Sequence, residues 1–403
     1  MQMLKVAIWL DPNYKPTEGG GYSYYEKLVN QIDNYNFSSN LELVFLTEDN
    51  IKHHSFKKQV LTISLLNKYI KYDFIIRKCI PFLFKHFRKL RRIAETRYYH
   101  CLFHKENIDV LYYLKQEECY VTDYPFIATN WDIGHISTYP FPEITEYYKR
   151  RKRYYTNILP KAIFVFCESE SGKEELKRYT PIDEFKLRVV PIFSGNSAIG
   201  KMDESFATDF LHKHALIKNK YYIYPAQFWA HKNHYGLLLA FSHIIPDYPD
   251  LKLIFTGSDK GNLKYIKTII SSLGLENHVL VLGFVSTNEL CALYKNAIAL
   301  VMPTYLGPTN MPPIEAMELN CPVICSDLSG HKEILGNAAL YFKPQNMLAI
   351  EEQMRTLLNG DIRKEWIEKI SLRNHESLFK IEYSIKQIEE HLLELSYIRK
   401  TWK

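Results

Sequence analysis

The stretch that decides the fold is Thr304–Asp327, TYLGPTNMPPIEAMELNCPVICSD. Pro312 and Pro313 suit the first turn of a helix but not its interior, so this pattern predicts a short helix that ends near Asn320. The run Pro322–Ser326 then predicts a strand. A helix followed at once by a buried strand is typical of α/β construction.

Glu315 lies in the opening turns of this predicted helix. Free backbone N–H groups and the positive end of the helix dipole favour an anion or a polyhydroxyl ligand there. A carboxylate at a helix start can also serve only to balance the dipole. Spacing alone therefore leaves both a binding role and a purely structural role open for Glu315.

The rest of the chain repeats this alternation of short apolar runs and helical segments, which predicts parallel α/β construction throughout. One series of strands runs from Lys5–Leu10 to Arg188–Pro191. A second runs from Tyr221–Pro225 to Ala339–Phe342. The polar stretch Ser194–Lys220 contains no predicted strand and separates the two series.

A chain of 403 residues is too long for one ordinary core and suits two domains. We predict an N-terminal Rossmann-like domain over residues 1–197 and a C-terminal one over 198–384, with a final helix at about 385–403 packed back on the first. Two such domains facing each other bring the carboxyl ends of their strands to one cleft. A functional site is expected in that cleft.

The composition is that of a globular protein, with 24% charged and 46% hydrophobic residues. No run approaches the roughly 20 apolar residues of a membrane span, and MQMLKVAIWLD at the start looks like a core strand rather than a signal peptide. Seven cysteines without a Cys-x-x-Cys pair indicate a reducing compartment and no metal site. We expect a cytoplasmic protein.

The net charge of +6 is unevenly distributed, because residues 71–99 and 146–155 mix Lys and Arg with Phe and Tyr. Such segments form a solvated helix face, a nucleic-acid surface or a helix lying on anionic lipid. No nucleic-acid-binding motif accompanies them, so we expect no nucleic-acid partner. We predict that 71–99 docks the protein on the inner face of an anionic membrane.

In the first half, two predicted strand ends carry distinctive residues. A Gly-rich turn between the first strand and a helix can let backbone amides approach a phosphate or acceptor group, or can be only a tight turn; it consists of Gly19, Gly20 and Gly21. Trp131, Asp132 and His135 follow the strand Pro125–Asn130, where polar groups commonly meet a ligand. A single histidine there can also be structural.

In the second half, Lys232 stands at a helix entrance after the strand Tyr221–Pro225. It can offer a flexible point charge to a diphosphate, or it can be an ordinary surface lysine. Gly257 ends the next strand and leaves room for a nucleotide. These positions are compatible with a nucleotide diphosphate site on the C-terminal side of the cleft.

Three motifs follow one another in the second half: PAQFWAHKNH, LGFVSTNELCALYKNA and GPTNMPPIEAMELNCPVICSDLSGHKEILGNAALYF. With them the chain resembles the family 4 retaining glycosyltransferases of the GT-B fold. The resemblance covers nearly the whole chain and is weakest between Ile51 and Glu106. It implies metal- and cofactor-independent transfer of a hexose or deoxyhexose from a nucleotide diphosphate sugar to a glycan or lipid-linked acceptor in bacterial surface polysaccharide biosynthesis.

The resemblance also implies site residues. Lys232 resembles the family's diphosphate-binding lysine, and Glu315 matches the second glutamate of its paired-glutamate motif, which binds the donor ribose. Gly19 to Gly21 resemble the loop beside the diphosphate and acceptor. His135 and Asp132 are implied to lie near the reacting sugar and, with Lys232, to be catalytic. The other implied donor contacts are Gln227, Gly257, Thr309, Asn310 and Met311.

The chain departs from the family pattern at three places. Gly307 stands where the first glutamate of the pair is expected, Gln227 stands near the position of a basic residue, and Trp131-Asp132 replaces a His-Asp pair. These changes keep two alternatives open. One is a non-catalytic GT-B protein that binds a sugar nucleotide or acts as a scaffold, and the other is a sugar-nucleotide epimerase, which needs an acid and a base on opposite faces of the sugar.

Overall fold

The computed structural model describes residues 3–47, 55–63, 96–195 and 203–401. These residues form two parallel β-sheets covered by helices. The prediction of two Rossmann-like α/β domains is therefore confirmed.

The N-terminal sheet has seven described strands in the order β3-β2-β1-β4-β5-β6-β7, all parallel. Helices cover both faces, which is why the strands are almost continuously apolar and buried. The strands are β1 Leu4–Trp9, β2 Leu41–Thr47, β3 Val60–Thr62, β4 Val110–Tyr113, β5 Phe126–Asn130, β6 Phe164–Cys167 and β7 Leu187–Val189.

The described helices of this domain include one over residues 96–105. The others are α1 Gly20–Asn34, α2 Gly134–Ser137, α3 Pro142–Asn157 and α4 Glu170–Tyr179. The basic run at 146–155 lies on α3, which presents Tyr147 and Tyr148 to solvent and buries Tyr154 and Tyr155. This run is thus one amphipathic helix beside the cleft.

The C-terminal sheet has six parallel strands in the order β10-β9-β8-β11-β12-β13. They are β8 Tyr221–Pro225, β9 Lys252–Thr256, β10 Val279–Gly283, β11 Leu300–Met302, β12 Val323–Ser326 and β13 Ala339–Phe342. The helices around it are α5 Glu204–Lys213, α6 His234–Ile244, α7 Leu263–Ser272, α8 Thr287–Asn296, α9 Met311–Glu318, α10 Ser329–Leu335, α11 Met347–Leu358 and α12 Gly360–Glu376.

The last helix, α13 Ile381–Arg399, returns to the N-terminal domain and packs against α1, β1 and β2. Ser384 Oγ donates to the Pro191 carbonyl oxygen at 2.6 Å, and Tyr35 Oη donates to Glu389 at 2.8 Å. The chain therefore enters the C-terminal domain after residue 195 and returns to the N-terminal domain near 377–380. A second crossing restricts how the domains can move relative to each other.

The segment 71–99, predicted to dock on a membrane, lies outside the described residues except for 96–99, which belong to a helix. Within the ranges that the structure describes, no helix is both long and apolar enough to cross a membrane.

Candidate active site

The carboxyl ends of the two sheets face a cleft of about 740 Å³. This is the arrangement that places ligands at strand ends in open α/β sheets. The C-terminal domain contributes His231, Lys232, Leu306, Gly307, Thr309 and Asn310, among others. The N-terminal domain contributes Gln116, Trp131, Asp132, Glu143, Glu168 and several residues of α3.

Lys232 ends a short 3₁₀ turn after β8, and its Nζ donates to Asn310 Oδ1 at 3.0 Å. Burial lowers the pKa of Lys232 to about 8, although the nearby Asp132 and Glu143 carboxylates oppose the shift. A lysine with so low a pKa carries an incompletely compensated charge. An anion in the cleft would favour its protonated form.

A hydrogen-bonded chain fixes the Asn310 amide that holds this lysine. His331 Nδ1 lies 2.8 Å from the Ser326 carbonyl oxygen and therefore carries the proton, which makes its Nε2 an acceptor for Asn310 Nδ2 at 3.0 Å. Burial lowers the pKa of His331 to about 4, so the ring stays neutral at pH 7. The Asn310 oxygen is thereby directed at Lys232. Sequence reasoning missed His331.

Helix α9 begins at Met311, directly behind the cleft, with Asn310 as its N-cap. Pro312 and Pro313 occupy its first turn as predicted, but proline has no N–H group. The prolines leave this helix with fewer free backbone donors than an ordinary helix start. Helix α9 therefore offers an anion the positive end of its dipole and the Met311 N–H group.

The glycine loop lies against the C-terminal domain. Gly19 has φ +81°, a conformation that favours glycine, and a Cβ atom there would come within 2.5 Å of Gln227 Nε2. A Cβ on Gly20 would lie 2.4 Å from Met311 Cε, and one on Gly21 would lie 2.4 Å from the Tyr14 hydroxyl. Side chains at positions 19 and 20 would push the loop away from the C-terminal domain, whereas one at position 21 would meet Tyr14 and Trp131 of its own domain.

Two buried N–H donors near this loop have no hydrogen-bond partner among the described residues. Gln227 Oε1 accepts from Trp229 Nε1 at 3.0 Å, which leaves Gln227 Nε2 unpaired, and Trp131 Nε1 is unpaired as well. Buried donors normally have partners. Their presence beside Gly19 and Gly21 is the arrangement expected where a ligand oxygen binds.

Asp132 lines the cleft as an ionised carboxylate. Its Oδ1 accepts from Arg151 Nη2 at 2.8 Å and from the Gly134 N–H at 2.7 Å. Burial alone would raise the pKa of Asp132, but Arg151, the Gly134 N–H group and Gln116 together outweigh burial and hold the pKa below its usual value. Arg151 Nε also pairs with Glu117 at 2.6 Å. The position of Asp132 is thus fixed by α3.

His135 was predicted near the reacting sugar, but its side chain is not among those that line the cleft. It lies on α2, and its ring packs 4.9 Å from the Tyr155 ring and 5.8 Å from the Tyr148 ring. Burial lowers its pKa to about 4, with a further contribution from Arg151. Both of its ring nitrogens are buried without a hydrogen-bond partner among the described residues. Its predicted place near the reacting sugar stays a prediction.

Glu315 lies in the second turn of α9 and is buried, and it too is not among the cleft-lining side chains. Its Oε2 accepts from the Tyr294 hydroxyl at 3.0 Å, and burial raises its pKa to about 7. Gly257 has φ +128° and leaves no space for a side chain, because a Cβ atom would lie 2.5 Å from the Ala226 carbonyl oxygen. The predicted donor contacts of both residues stay predictions.

Three contacts that sequence reasoning did not find join the two domains across the cleft. Glu143 Oε1 lies 2.6 Å from His231 Nδ1, and Thr309 Oγ1 donates to Glu168 Oε2 at 3.1 Å. Glu333 of α10 accepts from the Glu170 and Ser171 N–H groups at 2.9 and 2.8 Å. A carboxylate of one domain thus caps the first turn of α4 in the other.

In the described part of the chain, no group of three or more His, Cys, Asp or Glu side chains is arranged to hold a metal ion. The polar groups that line the cleft include Lys232, His231, several arginines of α3 and the carboxyl groups of Asp132, Glu143 and Glu168.

Comparisons with solved structures agree with this architecture. HepE of Anabaena, solved in complex with UDP and glucose, superposes with a TM-score of 0.70 over 97% of this chain and 100% of that one, at 15% identity. At that identity the similarity shows the fold alone. The protein has a GT-B fold, two Rossmann-like domains with a cleft between them.

Part of the C-terminal half matches a known family. Residues 208–373, which are less than half of the chain, match the family described as glycosyl transferases group 1. The chain is 34% identical over 182 residues to the O-antigen chain mannosyltransferase RfbU of Salmonella typhimurium, which is 45% of this chain and 47% of that protein. It is 27% identical over 157 residues to the O-antigen chain mannosyltransferase B of Escherichia coli, 38% of this chain and 41% of that protein. The chain thus spans less than half the length of these relatives.

Proposed function

We propose that the protein transfers a hexose from a nucleoside diphosphate sugar to a hydroxyl group of a glycan or lipid-linked acceptor, in the assembly of a bacterial surface polysaccharide. The observation that carries the proposal is Lys232, a cation of low pKa held by Asn310 at the N-terminus of α9 inside an interdomain cleft. The two mannosyltransferase relatives make mannose the favoured sugar.

The chemistry required of the protein is stabilisation of a leaving group. As the bond between the sugar and the diphosphate breaks, negative charge grows on the diphosphate oxygens. Lys232 and the positive end of α9 are placed to stabilise that charge. The glycine loop, with the Gln227 and Trp131 donors, closes the opposite side and aligns the two substrates. In this scheme Lys232 and the N-terminus of α9 supply the positive charge that a metal ion supplies in metal-dependent enzymes.

The state of the carboxyl groups argues against a covalent enzyme intermediate. A retaining double displacement needs an ionised nucleophile and a second carboxyl group roughly 5 Å away. Asp132 is paired with Arg151, Glu143 is bound to His231, and burial keeps Glu168 protonated at pH 7. We therefore propose transfer on one face of the sugar, in which the acceptor hydroxyl gives its proton to the departing diphosphate.

Product analysis tests the proposal. Purified protein is incubated with sugar nucleotides of mannose, glucose, galactose and their deoxy derivatives, together with glycan and lipid-linked acceptors. A longer acceptor whose new anomeric centre has the configuration of the donor, read by NMR, is the expected result. A new sugar nucleotide would show an epimerase, and binding without any product would show a non-catalytic protein. Activity that persists in excess EDTA is expected.

A further inference from the structure

We infer that Glu168 binds the sugar moiety of the donor and determines which hexose is accepted. The inference rests on the proposed function and adds to it a residue from the N-terminal domain. It is carried by the position of this carboxyl group in the cleft, its burial and the contact that orients it.

The backbone around Glu168 is fixed on both sides. The residue directly follows β6, and its carbonyl oxygen accepts from the Ile192 N–H group at 2.9 Å. The next residue, Ser169, caps α4 by accepting from the Gly172 N–H group at 2.9 Å. Rigid elements therefore present the carboxyl group to the cleft, which a sugar-binding group needs for selectivity.

The contact with Thr309 places this carboxyl group next to the diphosphate site. Thr309 Oγ1 donates to Glu168 Oε2, and Lys232 donates to the adjacent residue, Asn310. Successive Cα atoms lie about 3.8 Å apart. Glu168 and Lys232 therefore contact adjacent residues of the same loop. A phosphate held by Lys232 would thus have its attached sugar within reach of Glu168.

Glu168 is buried, with 6% of its surface exposed, and no cation among the described residues pairs with it. Burial raises its pKa to about 8, with a smaller effect of Asp132. A neutral carboxylic acid has one hydrogen-bond donor and spare acceptor capacity, which suits the hydroxyl groups of a sugar. One oxygen of the carboxyl group carries the hydrogen bond from Thr309, so the other oxygen is free to meet a ligand.

The loop that contains Gly307, in the C-terminal domain, cannot supply a carboxyl group to the sugar. Gly307 has φ +125°, and a Cβ atom there would lie 2.5 Å from Asn310 Nδ2. A glutamate at that position is therefore incompatible with this loop conformation. Glu168 is the carboxyl group that approaches the same loop from the opposite domain.

The test compares a nucleoside diphosphate with its sugar conjugate. Calorimetry gives the Kd of GDP and UDP, and of GDP-mannose, UDP-glucose and UDP-galactose, for the parent, Glu168→Ala and Glu168→Gln. Glu170→Gln is the matched control, because this exposed carboxylate lies two residues away on α4. Thermal unfolding confirms that each variant is folded, and Glu168→Gln keeps the shape of the side chain if Glu168→Ala does not fold.

We expect Glu168→Ala to bind the nucleoside diphosphate within about twofold of the parent and the sugar conjugate about tenfold more weakly. Its preference among the three sugar nucleotides should narrow, and Glu170→Gln should match the parent. Equal weakening of both ligands would show that Glu168 acts only through the contact between domains and would overturn the inference. If the parent binds sugar nucleotides and transfers sugar, and Glu168→Ala does both equally well, the inference is overturned and the proposed function stands. A parent that binds no sugar nucleotide overturns the proposed function as well.

Discussion

Replacing Lys232 tests the diphosphate site most directly. Its ammonium group is held by the neutral oxygen of Asn310, so a bound diphosphate becomes its principal partner of opposite charge. A charge-assisted hydrogen bond of this kind is worth about 1.5–3 kcal/mol, which is about ten- to a hundredfold in Kd. Lys232→Ala should weaken nucleoside diphosphate binding by that factor in calorimetry at pH 7. Lys295→Ala, which removes an exposed lysine of α8, should have no effect.

The low pKa of Lys232 adds a pH dependence with a definite sign. With a pKa of about 8, the free protein loses this charge as the pH rises from 7 to 9. Affinity should then fall by about tenfold over that range, because one pKa unit corresponds to a factor of ten. Glu168 also has a pKa of about 8, so the comparison is made in Glu168→Gln protein.

Lys232→Arg, which stays charged at pH 9, should remove most of the pH dependence while keeping affinity above that of Lys232→Ala. The reasoning is refuted if Lys232→Ala binds the diphosphate as tightly as the parent. It is also refuted if the alanine variant keeps the full loss of affinity between pH 7 and 9.

Three further variants have defined outcomes. Asp132→Asn removes the charge that pairs with the buried Arg151 and should destabilise the protein by about 1–3 kcal/mol in chemical denaturation; an unchanged midpoint would contradict this. The folded-state pKa of Glu315 is raised to about 7, so its contribution to stability is present below its ordinary pKa of 4.5 and is lost as the pH rises to 7. Glu315→Gln should therefore gain stability relative to the parent between pH 5 and 7.5, and a constant difference would contradict the burial of this group. The segment 71–99 is tested by flotation with anionic liposomes at low salt, where the parent should float and a variant neutralised at Arg88, Lys89, Arg91 and Arg92 should not.

Local patterns predicted the elements well because they depend on nearby residues. The prolines at 312 and 313 start α9 as expected, and Ser286 caps α8 with the reciprocal contact of Glu289. The glycine loop was also recognisable, since three successive glycines after a strand indicate a close approach of the backbone. What it approaches, Gln227 and Met311, lies in the other domain.

The contacts between the domains were not predictable from such patterns. Glu168 and Thr309 lie 141 positions apart, and Glu143 and His231 lie 88 apart. In the sequence CESESGKEEL, Glu168 is indistinguishable from the exposed acidic residues around it. The ring of His135 packs beside Tyr148 and Tyr155 of α3, a contact that its place after a strand did not indicate.

Glu333 of the C-terminal domain binds the first turn of α4 in the N-terminal domain. This contact affects how substrates can enter and leave the cleft. This contact, like Glu143 with His231 and Glu168 with Thr309, pairs polar groups that water can also satisfy. Separating the domains would exchange these hydrogen bonds for others, at a small net cost for each. In the proposed transfer reaction, the domains can then open at each turnover without unfolding of either core. We expect release of the spent nucleotide, rather than bond formation, to limit the rate of that reaction.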